Sequence, residues 1–323
     1  MSYSILTPDL ILDSLEHAGL RGNGRLLALN SYENRVYQVG MEEGPPLVAK
    51  FYRNARWSND AILEEHAFVK SLYEAEIPVV PPLALAGKTL HEYGGFRFAV
   101  FERRGGRAPE LEDMNTLEWM GRFLGRIHAV GRTESYRFRP AIDIASFGIE
   151  SRDYLLSGNH IPAELLESYE SSVNLALEGA QRAFERAGEY RSIRLHGDCH
   201  AGNILWTEAG PHFVDFDDSR MGPAIQDLWL LLSGDRADMT RQLTALLSGY
   251  EDFCDFDESE LYLVEALRTL RLVHYSAWLA KRWEDPAFPL AFPWFGTARY
   301  WQDRILELKE QVALMEEMPL LHS

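Results

Sequence analysis

Strand-like and helix-like patterns occupy separate parts of this 323-residue chain instead of alternating along it. Thr7-Pro8-Asp9 predicts the start of a first helix that stops near Gly19; from there to about residue 102, apolar residues fall in short runs typical of strands, with one internal helical pattern at residues 60–73. Beyond about residue 110, helical spacing dominates. Because a doubly wound parallel sheet needs strands and helices in alternation, this order predicts an α+β fold.

The first part of the chain predicts a sheet with one covering helix. The polar turn NSYEN, residues 30–34, separates the first two strand-like runs. The sequence ERRGG at residues 102–106 ends the pattern, so we place a boundary between a β-rich N-lobe, residues 1–103, and a mainly helical C-lobe, residues 104–323. The strand-like runs are residues 25–29, 35–39, 47–52, 83–86 and 96–101.

Charge and composition exclude several classes of protein. The formal net charge of −17 and the pI near 5.0 give no sign of a basic face for nucleic acid, so we expect no such partner. Cys199 and Cys254 are too few for a disulfide framework. No stretch approaches the roughly 18–20 apolar residues of a membrane span. We therefore expect a cytoplasmic protein that is a monomer and has no membrane partner.

The stretch RLHGDCHAGNILW, residues 194–206, contains the spacing of a phosphoryl-transfer loop. Asp198 and Asn203 fit H-x-D-x-x-x-x-N, in which the aspartate orients the attacking hydroxyl and the asparagine ligates magnesium. Asp215 follows in FVDFDD after a short apolar run, where a magnesium-binding aspartate is expected. Such residues near glycine often form turns and caps only, but the ordered pair of motifs favours catalysis.

Lys50 is a lone charge in the apolar strand-like run LVAKFY. Because a buried lysine without a partner is costly, we expect an acid on the next helix to hold it against the α- and β-phosphates of ATP. Glu64 and Glu65 are both available, and we predict Glu65. The alternative is an edge-strand lysine that discourages aggregation.

The same loop contains side chains that could ligate zinc. They are His196, Cys199 and His200, with His212 farther along. Histidines four residues apart share a face only on a helix, and Gly197 and Gly202 argue against a helix here. A zinc hydrolase would also have no use for Lys50, so we favour the phosphoryl-transfer interpretation.

Several motifs carry a family resemblance. HGDCHAGN, VDFDD and the following QDLW resemble the aminoglycoside phosphotransferase and choline kinase branch of the protein-kinase-like fold. The order of NSYENRVYQV, VAKFYR, GRFLGRIH and these motifs is similar to a bacterial stress-response subfamily of that branch, over nearly the whole chain. The resemblance implies a bilobal protein-kinase-like fold and Mg-ATP-dependent phosphorylation of serine and threonine on proteins.

The resemblance also implies roles for single residues. For the reaction, it implies that Asp198 is the catalytic base and that Asn203 and Asp215 are magnesium ligands. Asp215 is also expected to be catalytic. It also implies that Ser31, in the first hairpin, contacts ATP, in addition to the predicted nucleotide-binding residues Lys50 and Glu65. Asp227 in QDLW would brace the catalytic loop. Gly197 stands where protein kinases have the arginine of H-R-D, and the short step from Asp215 to Asp227 leaves no room for a long phosphorylated activation loop.

Three other functions compete with a protein kinase. A small-molecule kinase would phosphorylate a hydroxyl of a metabolite such as choline, homoserine or an aminoglycoside. Aromatic residues near the C-terminus could bind such a cation, although packing in the helical core is the more common role: Tyr275, Trp278, Trp283, Trp294, Phe295, Tyr300 and Trp301. The others are a non-catalytic ATP-binding regulator and the zinc hydrolase.

Overall fold

The computed structural model of the protein describes residues 3–320, which form two compact units, each with its own hydrophobic core. The β-rich unit comprises residues 3–109, 136–139 and 200–219, and the helical unit comprises residues 110–135, 140–199 and 220–320. The segregation of strands and helices confirms the α+β prediction. The placement of a lobe boundary between residues 103 and 104 stays a prediction.

The strands are, in chain order, β1 (Gly22–Leu29), β2 (Arg35–Met41), β3 (Leu47–Phe51), β4 (His91–Tyr93), β5 (Phe96–Glu102), β6 (Ile193–Arg194), β7 (Ile204–Thr207), β8 (Gly210–Phe213) and β9 (Met221–Gly222). The α-helices are α1 (Pro8–His17), α2 (Asn59–Glu74), α3 (Met114–Gly131), α4 (Glu150–Ser157), α5 (Ala163–Ala187), α6 (Ile225–Trp229), α7 (Arg236–Tyr250), α8 (Val264–Lys281), α9 (Ala287–Ala291) and α10 (Ala298–Leu314).

The β-rich unit contains a five-stranded antiparallel sheet in the order β1-β2-β3-β5-β4, counted within residues 3–320. Four of the predicted strands are confirmed, but the one at residues 83–86 is wrong. Leu83 donates a single backbone hydrogen bond to Val100, and Leu85 closes a tight turn with Lys88, so this segment does not continue as a ladder. The strand beside β5 is the short β4, whose three residues, His91, Glu92 and Tyr93, form no apolar run that the pattern could show.

Helix α2 closes one side of this unit and contacts the segment after β8. Ser58 caps its first turn by accepting a hydrogen bond from the Ala61 N–H. The ring of Phe68 packs edge-on against that of Phe216 at 6.0 Å between centroids, and Phe216 is buried. The helix therefore holds the residues on both sides of Phe216 in place.

The helical unit is built on tight helix packing. A Cβ atom on Gly121 in α3 would overlap the carbonyl oxygen of Leu246 in α7, so only glycine allows the two backbones to lie this close. A hydrophobic core of this unit lies between α5, α8 and α10 around the buried Trp301.

No helix within residues 3–320 combines the length and the apolar character that crossing a bilayer demands.

Candidate functional site

Lys50 lies on the central strand β3, paired with Val36 of β2 and Ala99 of β5, and is 6% exposed. Its Nζ lies 2.7 Å from Asp215 Oδ1 and 3.4 Å from Asp217 Oδ1. Burial alone would lower the pKa of this ammonium, but the two carboxylates raise it well above its usual range. Lys50 is therefore a permanently charged cation on an interior strand, and the edge-strand alternative is wrong.

The two glutamates of α2 have different partners. Glu64 accepts hydrogen bonds from the backbone N–H groups of Arg137 and Phe138 at 2.8 and 2.9 Å. Glu65 is buried, and its ion pair within residues 3–320 is with Arg139 at 3.5 Å. Burial raises the pKa of Glu65 to about 7, against the opposing charges of Lys50 and Arg139. The predicted pair of Lys50 with Glu65 is therefore not formed among residues 3–320: the carboxylates close to Lys50 are Asp215 and Asp217, and Glu65 affects the pKa of Lys50 only through its charge.

The hairpin of β7 and β8 positions the two predicted magnesium ligands. Asn203 precedes β7, and its carbonyl oxygen accepts a hydrogen bond from Val214 N–H at 3.0 Å, which brings it beside the residue before Asp215. Asp215 has φ 61° and ψ 63°, a left-handed conformation that non-glycine residues rarely adopt, and its side chain is 49% exposed. Carboxylate and amide oxygens are the donor set that Mg²⁺ prefers, so these residues fit that metal.

Sequence reasoning missed the polar cluster around Asp217. This buried carboxylate pairs with Arg56 and accepts a hydrogen bond from Asn34 Nδ2 at 3.1 Å. Burial would raise the pKa of Asp217, but Arg56 and then Lys50 bring it below its usual range. Since Asn34 ends the turn that contains Ser31, the cluster fixes that turn. Its visible signal was the row of acids in FVDFDD together with the arginines that follow VAKFY.

In the helical unit, Asp227 holds the loop that carries Asp198. Its carboxylate accepts hydrogen bonds from the backbone N–H groups of His196 at 2.7 Å and Gly197 at 2.9 Å. It also bonds to His128 Nε2 at 3.0 Å. Gly197 has φ 87°, a left-handed backbone conformation that favours glycine. The predicted bracing role of Asp227 is confirmed, and His128 was missed.

Asp198 and the residues around it complete this loop. The backbone N–H of Asp198 donates to His196 Nδ1 at 3.3 Å, so the His196 side chain helps to fix the loop backbone. Asp198 Oδ1 lies 2.7 Å from Arg271 Nη1 of α8, with side chains 23% and 40% exposed. Sequence reasoning missed Arg271, since an arginine within a helical pattern carries no signal by itself.

The side chains considered as zinc ligands have other roles in the structure. Within residues 3–320, no group of three or more histidine, cysteine, aspartate or glutamate side chains is arranged to hold a metal. Burial raises the pKa of the Cys199 thiol well above its usual range, whereas zinc binds thiolate. His200 Nδ1 accepts a hydrogen bond from Gly202 N–H and caps the short turn that ends at Asn203. The geometry gives the zinc alternative no support.

The C-terminal aromatic residues mainly pack in the core of the helical unit. Trp301 and Phe295 are fully buried, and their rings lie 5.5 Å apart. Tyr275 and Trp294 are the more exposed members, at 37% and 40%. The core-packing alternative is therefore correct for most of this set.

Comparison with known proteins identifies a family. Residues 25–264 match the family model described as the phosphotransferase enzyme family. The chain is 46% identical to stress response kinase A of Escherichia coli O157:H7, over 99% of this chain and 96% of that protein. It is 43% identical to serine/threonine protein kinase RdoA of Salmonella typhimurium over the same shares of the two chains.

A solved structure shows the same fold at much lower identity. Amicoumacin kinase hAmiN, in complex with AMP-PNP, Ca²⁺ and Ami, superimposes with a TM-score of 0.73 at 17% identity, covering 99% of this chain and 97% of its own. At this identity the likeness concerns the fold alone. It confirms the predicted protein-kinase-like fold.

Proposed function

The chain belongs to the phosphotransferase enzyme family and is an ATP-dependent kinase, and from this premise we propose that it phosphorylates serine and threonine on proteins in a stress response, with magnesium as its metal. The observation that carries the transfer chemistry is the 2.7 Å pair of Lys50 with Asp215, beside Asn203. The acceptor class rests on the relatives at 43–46% identity. We further propose a cytoplasmic monomer with lobes divided between residues 103 and 104.

In this proposal the β-rich unit binds the nucleotide. Lys50 places its positive charge against the α- and β-phosphates, and the charge of Glu65 acts on Lys50. The Ser31 hydroxyl donates a hydrogen bond from the turn to the nucleotide. Asn203 and Asp215 supply oxygen ligands to Mg²⁺, which when bound neutralises charge on the transferred phosphoryl group. Asp215 must exchange part of its contact with Lys50 for that role, which its half-exposed side chain permits.

The helical unit contributes the group that acts on the acceptor. Asp198 accepts a hydrogen bond from the serine or threonine hydroxyl and orients its oxygen towards the γ-phosphorus. It takes the proton as the new P–O bond forms and the bond from the γ-phosphorus to the β–γ bridging oxygen breaks, with ADP as the leaving group. Asp227 keeps the loop backbone fixed through His196 and Gly197, so the carboxylate of Asp198 is oriented before the acceptor arrives.

A labelling experiment tests the acceptor class. Wild-type protein and Asp198→Ala are incubated with Mg-ATP carrying a radioactive γ-phosphate and either a native lysate, a generic protein substrate, choline, homoserine or an aminoglycoside. We expect protein labelling by the wild type and its loss in Asp198→Ala, with nucleotide binding retained. Rapid turnover on one metabolite without protein labelling would establish the small-molecule kinase instead.

The same variant separates catalysis from regulation. A non-catalytic ATP-binding regulator would keep its cellular phenotype in Asp198→Ala, because nothing in that role uses the carboxylate. We expect the stress phenotype to fail together with protein labelling.

A further inference from the structure

Positive charge is concentrated on one face of helix α8, in a chain whose net charge is −17. Arg271, Tyr275, Trp278 and Arg282 follow each other at steps of four, three and four residues, so they share a face of α8 and its C-terminal end. The rings of Tyr275 and Trp278 are stacked at 5.7 Å, and the Arg282 guanidinium lies over Trp278 at 5.9 Å. We call these four residues and Lys281 the α8 stripe.

One end of the α8 stripe is at the proposed catalytic carboxylate. The 2.7 Å pair between Arg271 and Asp198 puts a guanidinium where the acceptor hydroxyl must approach. Arg271 offsets the charge of Asp198 there, so the carboxylate attracts a cationic acceptor less than it would if it were unpaired. An acceptor with a carboxylate near its hydroxyl would instead be attracted to Arg271.

The other end of the α8 stripe is also positive. Lys281 Nζ lies over the Tyr154 ring at 5.2 Å, and Arg220 lies over Phe147 at 5.0 Å. Burial, and then the charges of Arg282 and Arg220, lower the pKa of Lys281, while Glu150 opposes them. The charges of Arg282 and Arg220 thus act against that of Lys281, and an anionic ligand would relieve this repulsion.

The length of the α8 stripe favours a peptide over a metabolite. From Arg271 to Arg282 the helix axis rises about 17 Å, at roughly 1.5 Å per residue. An extended peptide covers that distance with about five residues, whereas a small alcohol can contact only one end.

We propose that the α8 stripe binds an acidic peptide segment around the acceptor serine or threonine, an inference that rests on the protein-kinase function proposed above. Arg271 binds an acidic side chain of the peptide next to the acceptor residue. Lys281 and Arg282 bind an acidic side chain about four or five residues away from it along the peptide. Tyr275 and Trp278 provide the apolar surface between these two positions.

Matched peptides test this inference. Each contains one serine, with glutamate or lysine either beside it or about five residues away, on the side that a preliminary scan identifies. We expect kcat/KM to favour glutamate over lysine at both positions by about three- to tenfold, since each exposed ion pair contributes up to about fivefold. The preference should weaken as salt rises.

Variants assign the two positions. Arg282→Glu combined with Lys281→Glu should reverse the preference at the far position and leave the near one intact, mainly through KM. Arg271→Gln should reduce the near preference, and the glutamate-to-lysine ratio cancels any general effect on Asp198. Arg299→Glu on α10, which is exposed and paired only loosely with Asp303 at 3.9 Å, is the control and should change neither ratio.

Two results would overturn the inference while leaving the kinase proposal standing. One is equal labelling of acidic and basic peptides by the wild type. The other is an acidic preference that the Lys281 and Arg282 changes do not alter. Efficient phosphorylation of a small carboxylated alcohol, with no peptide labelled, would contradict the protein-kinase proposal itself.

Discussion

Each unit contains a buried aspartate, and the two carboxylates are stabilised by different kinds of partner. Asp217 of the β-rich unit is surrounded by cationic side chains, Arg56 and Lys50. Asp227 of the helical unit is surrounded by the backbone N–H groups of two loop residues and by the imidazole of His128. Both carboxylates are desolvated, so each needs partners, but only the first has side-chain cations as partners.

In the proposed function, the difference follows from what each unit holds. A nucleotide brings several negative charges, and cations already balanced by Asp215 and Asp217 can turn to phosphates without leaving a buried charge alone. A catalytic loop needs fixed backbone geometry, and hydrogen bonds to two successive N–H groups supply it. Charge is therefore expected to control affinity in one unit, and backbone hydrogen bonding to control catalytic geometry in the other.

The largest expected effect separates the two units kinetically. Asp198→Asn and Asp215→Asn should each reduce kcat by about 10²–10⁴-fold, because one removes the proton acceptor and the other a charged metal ligand. Calorimetric titration with Mg-nucleotide should show weakened binding only for Asp215→Asn. Equal loss of nucleotide affinity in both variants would break the comparison.

Next in size is the loss of stability in Asp227→Asn. An amide cannot accept from the N–H groups of His196 and Gly197 and from His128 at once, so a buried donor is left without an acceptor. We expect the free energy of unfolding in urea to fall by about 2–4 kcal/mol. The control is Asp252→Asn, which removes a half-exposed pair with Arg122 and should cost less than about 0.5 kcal/mol. Similar losses in the two variants would contradict the bracing role.

A smaller effect concerns pH in the helical unit. Glu260 accepts a hydrogen bond from Ile225 N–H at the start of the helix that carries Asp227, and burial raises its pKa from 4.5 to about 7. Because the folded-state pKa is the higher one, the stabilisation from protonated Glu260 is full below about pH 4.5 and is lost as pH rises through about 7.

Glu260→Gln should remove this dependence. The unfolding free energy of Glu260→Gln minus that of the wild type should rise by about 1–3 kcal/mol between pH 5 and pH 8, in urea titrations at several pH values. Glu251→Gln, at an exposed position, should show a constant difference from the wild type. A constant difference for Glu260→Gln as well would mean that this carboxyl does not titrate in the window.

The sequence predicted the elements of the fold better than the partners within the site. The periodicity gave the α+β division and four of the five sheet strands, because apolar spacing reflects burial directly. It placed a strand at residues 83–86 because that segment is apolar, although the ladder forms at the polar β4. The motif residues could be recognised because their spacing lies within one short loop.

Contacts between distant parts of the chain could not be read in the same way. Arg56 with Asp217, Arg139 with Glu65 and Arg271 with Asp198 join residues that are more than 70 positions apart. Arginine is common on exposed surfaces, so no local pattern marks the few that are buried or paired with acids of the candidate site. Gly197 was noticed as a departure, but its left-handed backbone became apparent only in the structure.

The smallest expected effect tests the nucleotide side of the comparison at a neutral residue. Ser31 lies in the turn that Asn34 ties to Asp217, so the backbone of the turn stays in place when the Ser31 hydroxyl is removed. Loss of one hydrogen bond to ATP in Ser31→Ala should raise KM for ATP by about two- to tenfold with kcat nearly unchanged. Ser71→Ala, whose hydroxyl bonds to Phe68 O within α2, is the control and should leave KM unaltered. A larger change in kcat than in KM would mean that the turn acts in the transition state, and neutral hydrogen bonding would then govern geometry in both units.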